Sequence, residues 1–262
     1  MKIGIDAIEM DTPDFYVDLV KLAKVRGDDP NKYTIGIGQD EQAVPPSSQD
    51  IVTLGANAAA KVLTPASRAS LGMILVGTES GVDASKSAAL FIHDLLVLPE
   101  WVRAVELKEA CYGGTAALMM ARDYVASHPD KSVLVIAADI ARYGLATAGE
   151  VTQGAGAVAM IVKADPRLLT IEPDSVYRSA SINDFWRPVY QDTALAQGKY
   201  STEQYLAFFK TVWERYQADH HLSAHDFAAM TFHLPYTKMG KKALDLVLPT
   251  CLLYTSPSPR DY

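Results

Sequence analysis

The feature that most constrains how this 262-residue chain folds is a set of short apolar runs without polar alternation, Val133-Leu134-Val135-Ile136-Ala137 being the clearest. A strand with one face in water alternates apolar and polar side chains, so an unbroken run predicts a sheet covered by helices on both faces. Such runs recur between helical stretches. Strands are expected over 2–8, 33–37, 72–77, 104–107, 132–138 and 155–162, and helices over about 50–62, 85–96 and 115–127. Thr12-Pro13 reads as an N-cap and first-turn proline, opening a helix with Phe15, Leu19, Leu22 and Ala23 on one face and its end near Gly27. Residues 1–165 are therefore expected to form a layered α/β unit.

After Pro166 the pattern restarts over 166–248. Extended chain is expected over 168–182, followed by the Asp184–Pro188 loop. A long helix is expected to open at Ser201, with a capping box closed by Gln204 and a staple between Tyr200 and Tyr205. Its stripe of Tyr205, Phe208, Phe209, Val212, Trp213 and Tyr216 has helical spacing and reads as core-facing. A strand over 229–233 and a helix from about Thr237 follow. The last stretch, 249–262, carries three prolines and no periodicity. CLLYTSPSPRD resembles a translated adaptor sequence, so this stretch and Cys251 are expected to be non-native and are set aside from the fold.

Composition narrows the function classes. Lys and Arg number 24 against 31 Asp and Glu, for a net charge of −7, which disfavours broad binding to nucleic acid or anionic membrane. No apolar run approaches the ~18 residues of a membrane span, and early Asp6, Glu9 and Asp11 do not suit a signal peptide. Two cysteines are too few for a disulfide framework or an all-cysteine zinc site. A soluble, cytoplasmic α/β protein is expected.

Three residues stand out chemically. Cys111 lies in Glu109-Ala110-Cys111-Tyr112-Gly113-Gly114-Thr115, after one expected strand and before one expected helix. The helix N-terminus there favours a thiolate, and the glycines are expected to permit a sharp turn, as in a nucleophile elbow. A buried core thiol is the plainer alternative. Glu79 follows Met73–Gly77, at the carboxyl end of a buried strand, where α/β proteins build their sites; a solvated loop glutamate is the alternative. His233 ends an apolar run and precedes the basic cluster Lys238, Lys241, Lys242, which suits a phosphorylated ligand or, more plainly, a solvated helix face. No metal site is expected, because His220, His221 and His225 lack a carboxylate or cysteine in ligand spacing. Gly36-Ile37-Gly38 and Gly154-Ala155-Gly156 do not complete a dinucleotide fingerprint.

Taken in order, GTES around Glu79, EACYGGTAAL around Cys111, DIARYG from Asp139, GEVTQGAGAVAM from Gly149, DFWRP from Asp184 and FHLPYTKMGKKA from Phe232 resemble the bacterial-type 3-hydroxy-3-methylglutaryl-CoA synthase family of the thiolase-like superfamily. The likeness runs from Met1 to about Leu248. It implies a thiolase-like layered α-β-α fold, with the first half complete and the second partial. It implies condensation of acetyl-CoA with acetoacetyl-CoA in the mevalonate route to isoprenoids, with Cys111 as nucleophile, Glu79 as acid–base and His233 polarising the acceptor carbonyl. It further implies that Asp29, Thr152, Ser201 and Lys242 contact the CoA-linked ligand, Ser201 doing so from a helix N-terminus, with Lys238 and Lys241 near the CoA phosphates. Tyr112, Asp139, Tyr143 and Asp184 would support the catalytic three. CoA thioesters would be substrates, with no other cofactor, and a homodimer is expected. Family members continue further and add an Asn and a Ser to the site. An inactive or poorly folded chain that only binds CoA, a ketoacyl synthase III and a thiolase are the competing expectations.

Overall fold

A computed structural model describes residues 1–248. The segment 249–262, with Cys251, lies outside the described residues. In chain order the elements are β1 (Ile3–Asp11), β2 (Phe15–Asp18), α1 (Leu19–Arg26), β3 (Glu41–Val44), α2 (Ile51–Val62), α3 (Pro65–Ser70) and β4 (Leu71–Gly77). There follow α4 (Ala88–Leu95), β5 (Arg103–Leu107), α5 (Gly113–Ser127), β6 (Ser132–Ala141), β7 (Gly154–Ala164) and the short β8 (Leu169–Thr170), β9 (Phe185–Trp186) and β10 (Leu195–Ala196). Two helices complete the described chain, α6 (Gly198–His220) and α7 (Met239–Leu244). The chain divides into two compact units, the first from residues 1–17, 43–141 and 153–173, the second from 18–42, 142–152 and the residues from 174 onward.

The first unit has three layers. Its sheet runs in the order β5-β4-β6-β7-β1-β8. The β4 strand pairs in parallel with both β5 and β6, whereas β7 lies antiparallel between β6 and β1. Every residue of β4 is buried, as an apolar strand covered on both faces requires. One face packs Ile74, Val76, Leu134, Ile136 and Ile161 against α2 and α4, and the other packs Leu75, Val133, Val135 and Met160 against Ala117, Ala121 and Val125 of α5. Asp50 caps α2 by accepting from Thr53 N at 2.9 Å, and Thr53 Oγ1 accepts from Asp50 N at 2.9 Å.

The second unit is smaller in core, and of its described α-helices only α1 carries a side-chain cap. Asp18, rather than Thr12, caps α1, accepting from Lys21 N at 2.9 Å, and Gly27 ends it in the left-handed region. A carboxylate cap outranks Thr here. Phe15 accordingly sits on β2 and is exposed, not on the helix face expected of it. Leu19, Ala23, Tyr33 and Val151 form a compact apolar cluster. Residues 33–37, expected as a strand, belong to a π-helical turn, Lys32–Ile37, closed by Gly38 at φ 86°. The period-two pattern loses there to local bonds: Lys32 N reaches Asp29 O at 3.0 Å, and the Tyr33 hydroxyl donates to Asp28 at 2.5 Å.

Five further expectations fail. The long helix begins at Gly198, so Ser201 is no cap, and its N–H is spent on Gln197 O at 2.8 Å. No residue of α6 is fully buried; its aromatic stripe is half-covered, with Phe209 edge-on to Phe232 and Trp213 against Phe227. No strand forms over 229–233, where a run too short to find a partner strand stays irregular. The expected extended stretch 168–182 yields only β8, and the last helix starts at Met239 instead of Thr237.

Candidate active site

In the first unit the chain leaves β5 through a 3₁₀ turn, Ala110–Tyr112, and enters α5. Cys111 occupies that turn and is exposed, which excludes the buried core thiol. The backbone strain of the elbow falls on Ala110, at φ 45°, one residue before the thiol. Gly113 has ordinary helical angles, φ −52° and ψ −44°. The glycines serve close approach instead of the turn. A Cβ on Gly77 would meet Gly113 C at 2.3 Å, and one on Gly114 would meet Ala137 Cβ at 2.8 Å. Only bare backbone lets the start of α5 lie against the ends of β4 and β6. The first turn of α5 has no acidic side chain, so its positive end acts on the nearby sulfur uncompensated from within the helix.

The thiol opens onto a cavity of about 270 Å³ lined in part by Cys111, Gly114, Ala137, Asp139, Val158 and Met160. Glu79 is half-buried in the turn after β4, and Asp139 organises that turn. One oxygen, Asp139 Oδ1, accepts from Thr78 Oγ1 at 2.9 Å, Glu79 N at 2.8 Å, Ser80 N at 3.1 Å and Ser80 Oγ at 2.9 Å. Thr78 N also donates to Leu107 O at 3.2 Å, so the Glu79 turn is tied to β5 and β6. Desolvation raises the Asp139 pKa despite these four donors. Tyr112 is exposed beside the thiol. Glu79, Cys111, Tyr112 and Asp139 thus all belong to this unit.

The remaining expected residues belong to the second unit. His233 lies on irregular chain, its carbonyl accepting from the Tyr205 hydroxyl at 2.9 Å. The residue is exposed, and desolvation lowers its pKa, favouring the neutral imidazole. Lys242 Nζ donates to the Tyr236 hydroxyl at 2.9 Å, while Lys238 and Lys241 are exposed. Asp29 is exposed and accepts from Asn31 N at 3.0 Å. Thr152 is half-buried and donates to Gly149 O at 3.0 Å. The Tyr143 ring meets Phe185 edge-on at 5.7 Å, and the Asp184 carbonyl accepts from Gln197 N at 2.8 Å. Ser201 is half-buried in the first turn of α6, its N–H committed as described, so the anion-receiving amide expected of it does not exist.

Sequence reasoning missed four contributors: Thr78 and Ser80, which complete the Asp139 anchor, and Arg26 and Glu150. Glu150 is 5% exposed and receives the Arg26 guanidinium bidentately at 2.8 and 2.7 Å. Thr78 and Ser80 flank Glu79 inside a motif already noted. The Arg26–Glu150 pair spans 124 residues and leaves no local signal. Among the described residues no cluster of three or more His, Cys, Asp or Glu is arranged to hold a metal ion. No helix there is long and apolar enough to cross a membrane.

A mixed sheet between helical layers, with an exposed thiol on the turn into α5, fits the thiolase-like class to which the solved relatives below belong. Residues 1–166 match the family model described as the hydroxymethylglutaryl-coenzyme A synthase N-terminal domain, and the chain belongs to that family. The hydroxymethylglutaryl-CoA synthase of Enterococcus faecalis is 50% identical over 93% of this chain and 64% of its own length. A crystal structure of HMG-CoA synthase complexed with CoA superposes with a TM-score of 0.93 at 43% identity, covering 95% of this chain and 64% of that one. MvaS in complex with 3-hydroxy-3-methylglutaryl coenzyme A gives a TM-score of 0.86 at 40% identity, covering 92% of this chain and 62% of that one. The chain therefore spans a little under two thirds of the length of these relatives.

Proposed function

We propose that this chain carries the machinery for condensing acetyl-CoA with acetoacetyl-CoA to 3-hydroxy-3-methylglutaryl-CoA, a step towards isoprenoids in the mevalonate route. The observation that carries the reading is the exposed Cys111 thiol at the mouth of a cavity, before the N-terminus of α5, with Asp139 in the same cavity anchoring the Glu79 turn. In the first step the Cys111 thiolate attacks the acetyl-CoA carbonyl, the C–S bond to CoA breaks, and CoA departs with a proton. Glu79 then removes a methyl proton from the acetyl-cysteine. The resulting enolate carbon attacks the ketone of acetoacetyl-CoA, whose carbonyl His233 polarises, and Glu79 returns the proton to the alkoxide. Water cleaves the thioester to Cys111, releasing the product and restoring the thiol.

Asp139 acts here by holding the Glu79 turn. Tyr112, Tyr143 and Asp184 are proposed as supporting residues. Asp29, Thr152, Ser201 and Lys242 are proposed to contact the CoA-linked ligand, and Lys238 and Lys241 its phosphates; Ser201 would use its hydroxyl. The chemistry uses CoA thioesters as substrates and calls on no other cofactor. A homodimer in the cytoplasm completes the proposal, a reducing compartment suiting an exposed thiol.

The test is incubation of the 262-residue chain with acetyl-CoA labelled in the acetyl group. Label is expected on Cys111 and is expected to vanish in Cys111→Ala. Acetoacetyl-CoA should then discharge it as 3-hydroxy-3-methylglutaryl-CoA. Label that discharges only as another condensation product points to a different thiolase-like enzyme. CoA binding without any label reduces the chain to a binding fragment.

A further inference from the structure

We propose that the Arg26–Glu150 ion pair is a strut that sets the spacing of the Asp29 and Thr152 segments, making Arg26 and Glu150 positioning residues for the CoA-linked ligand. The proposal rests on the reading of Asp29 and Thr152 as ligand contacts. Arg26 ends α1, three residues before Asp29, and Glu150 lies two residues before Thr152. The Glu150 carboxylate takes Arg26 Nε at 2.8 Å, Arg26 Nη2 at 2.7 Å and Ala146 N at 2.9 Å. Its own carbonyl accepts from the buried Gln42 Nε2 at 3.1 Å.

Burying the Glu150 carboxylate at 5% exposure against the surface-lying Arg26 is an expensive way to gain stability, since apolar contact does as well or better. What a bidentate fork supplies is direction. The 142–152 loop needs it: Gly144 and Ala146 sit in the left-handed region at φ 93° and 55°, and such a loop holds its shape only when its surroundings impose it. Glu150 imposes it by gripping the Ala146 amide and the Arg26 side chain together. Val151, next along, packs in the cluster with Leu19, Ala23 and Tyr33, and the Tyr33 hydroxyl ties back to Asp28, beside Asp29. The loop and α1 are thus joined by one apolar contact and one bidentate polar link. Consistent with this, the guanidinium beside Glu150 holds its carboxyl below the usual range.

The experiment uses the full 262-residue chain, with CoA titrated calorimetrically and hydrogen exchange followed by mass spectrometry. Arg26→Lys keeps the charge but not the fork, and Glu150→Gln keeps the shape but not the charge. Each is expected to raise the CoA dissociation constant about tenfold, with the double variant no worse than either single one. Exchange should rise together at 26–31 and 142–152 while 78–80 stays unchanged. Asp6→Asn, which breaks the Arg167–Asp6 pair in the first unit, serves as the comparator for general destabilisation. Unchanged CoA binding in both variants overturns the strut, as does exchange that rises in only one of the two segments, or an Asp6→Asn chain that loses CoA equally. An unmodified chain that takes no CoA overturns the ligand reading beneath the proposal, and with it the positioning role. The exchange pattern separates that failure from failure of the strut itself.

Discussion

The two units reach order by different routes. In the first, α2 has 12 residues and buries eight of them, and every residue of β4 is buried. In the second, α6 has 23 residues and buries none completely. Order there comes from one small apolar cluster, ring pairs and the Arg26–Glu150 link. The first unit is held by area removed from water, which is nondirectional and spread over many side chains. The second depends on a few directed bonds, each of which matters for where particular residues sit.

Truncation is the bluntest way to break this contrast. Ile136→Ala removes a side chain with no exposure from the middle of the sheet and is expected to cost about 2–5 kcal/mol in urea unfolding. Phe209→Ala, at the centre of the half-covered ring cluster on α6, should cost less, on the order of 1–2 kcal/mol. Equal losses would mean that the second unit has a core as close-packed as the first.

Acid should distinguish the units next. Arg26 lowers the Glu150 pKa below the ordinary 4.5, so the folded state binds this proton more weakly than the unfolded state. Its stabilising contribution is present above pH 4.5 and lost as pH falls through the folded value. Asp139 is shifted the other way by desolvation, above the ordinary 3.8. Its contribution is present below pH 3.8 and lost as pH rises through the folded value. The urea midpoint of Glu150→Gln should therefore approach that of the parent chain on acidification. For Asp139→Asn the relative midpoint should improve as pH rises from 3.8. Parallel pH profiles for the two variants would remove the electrostatic difference between the units.

The smallest expected effect is a gain. Val97, in the turn that ends α4, has φ 49° and is exposed, a conformation that suits glycine and strains a β-branched side chain. Val97→Gly is expected to raise unfolding stability by about 1 kcal/mol. A loss would show that the Val97 side chain makes a contribution greater than its strain.

What was legible follows the same division. Strands β4, β6 and β7, together with α2 and α5, could be read to within a few residues because burial writes itself into closely spaced apolar positions. Cys111 was legible as a thiol between a strand and a helix. The second unit was misread at 33–37, at Ser201 and at 229–233, where alternation or a cap signal was present but local bonds, an earlier helix start and a run that formed no strand decided the outcome. Ser201 looked like a cap because Ser-Thr-Glu-Gln carries the right residue types, yet three more residues joined the helix ahead of it.

The sequence by itself determined the layered α/β class, the position of the thiol before α5 and the family motifs, because periodicity and local spacing are properties of neighbouring residues. Tertiary structure alone decided that Ala110 takes the strain of the elbow, that Gly77, Gly113 and Gly114 serve close approach, that Asp139 gathers four donors around the Glu79 turn, and that Glu150 meets Arg26. These depend on atoms brought within about 3 Å of each other from distant parts of the chain, at distances where hydrogen bonds and steric contact act and which no local pattern records.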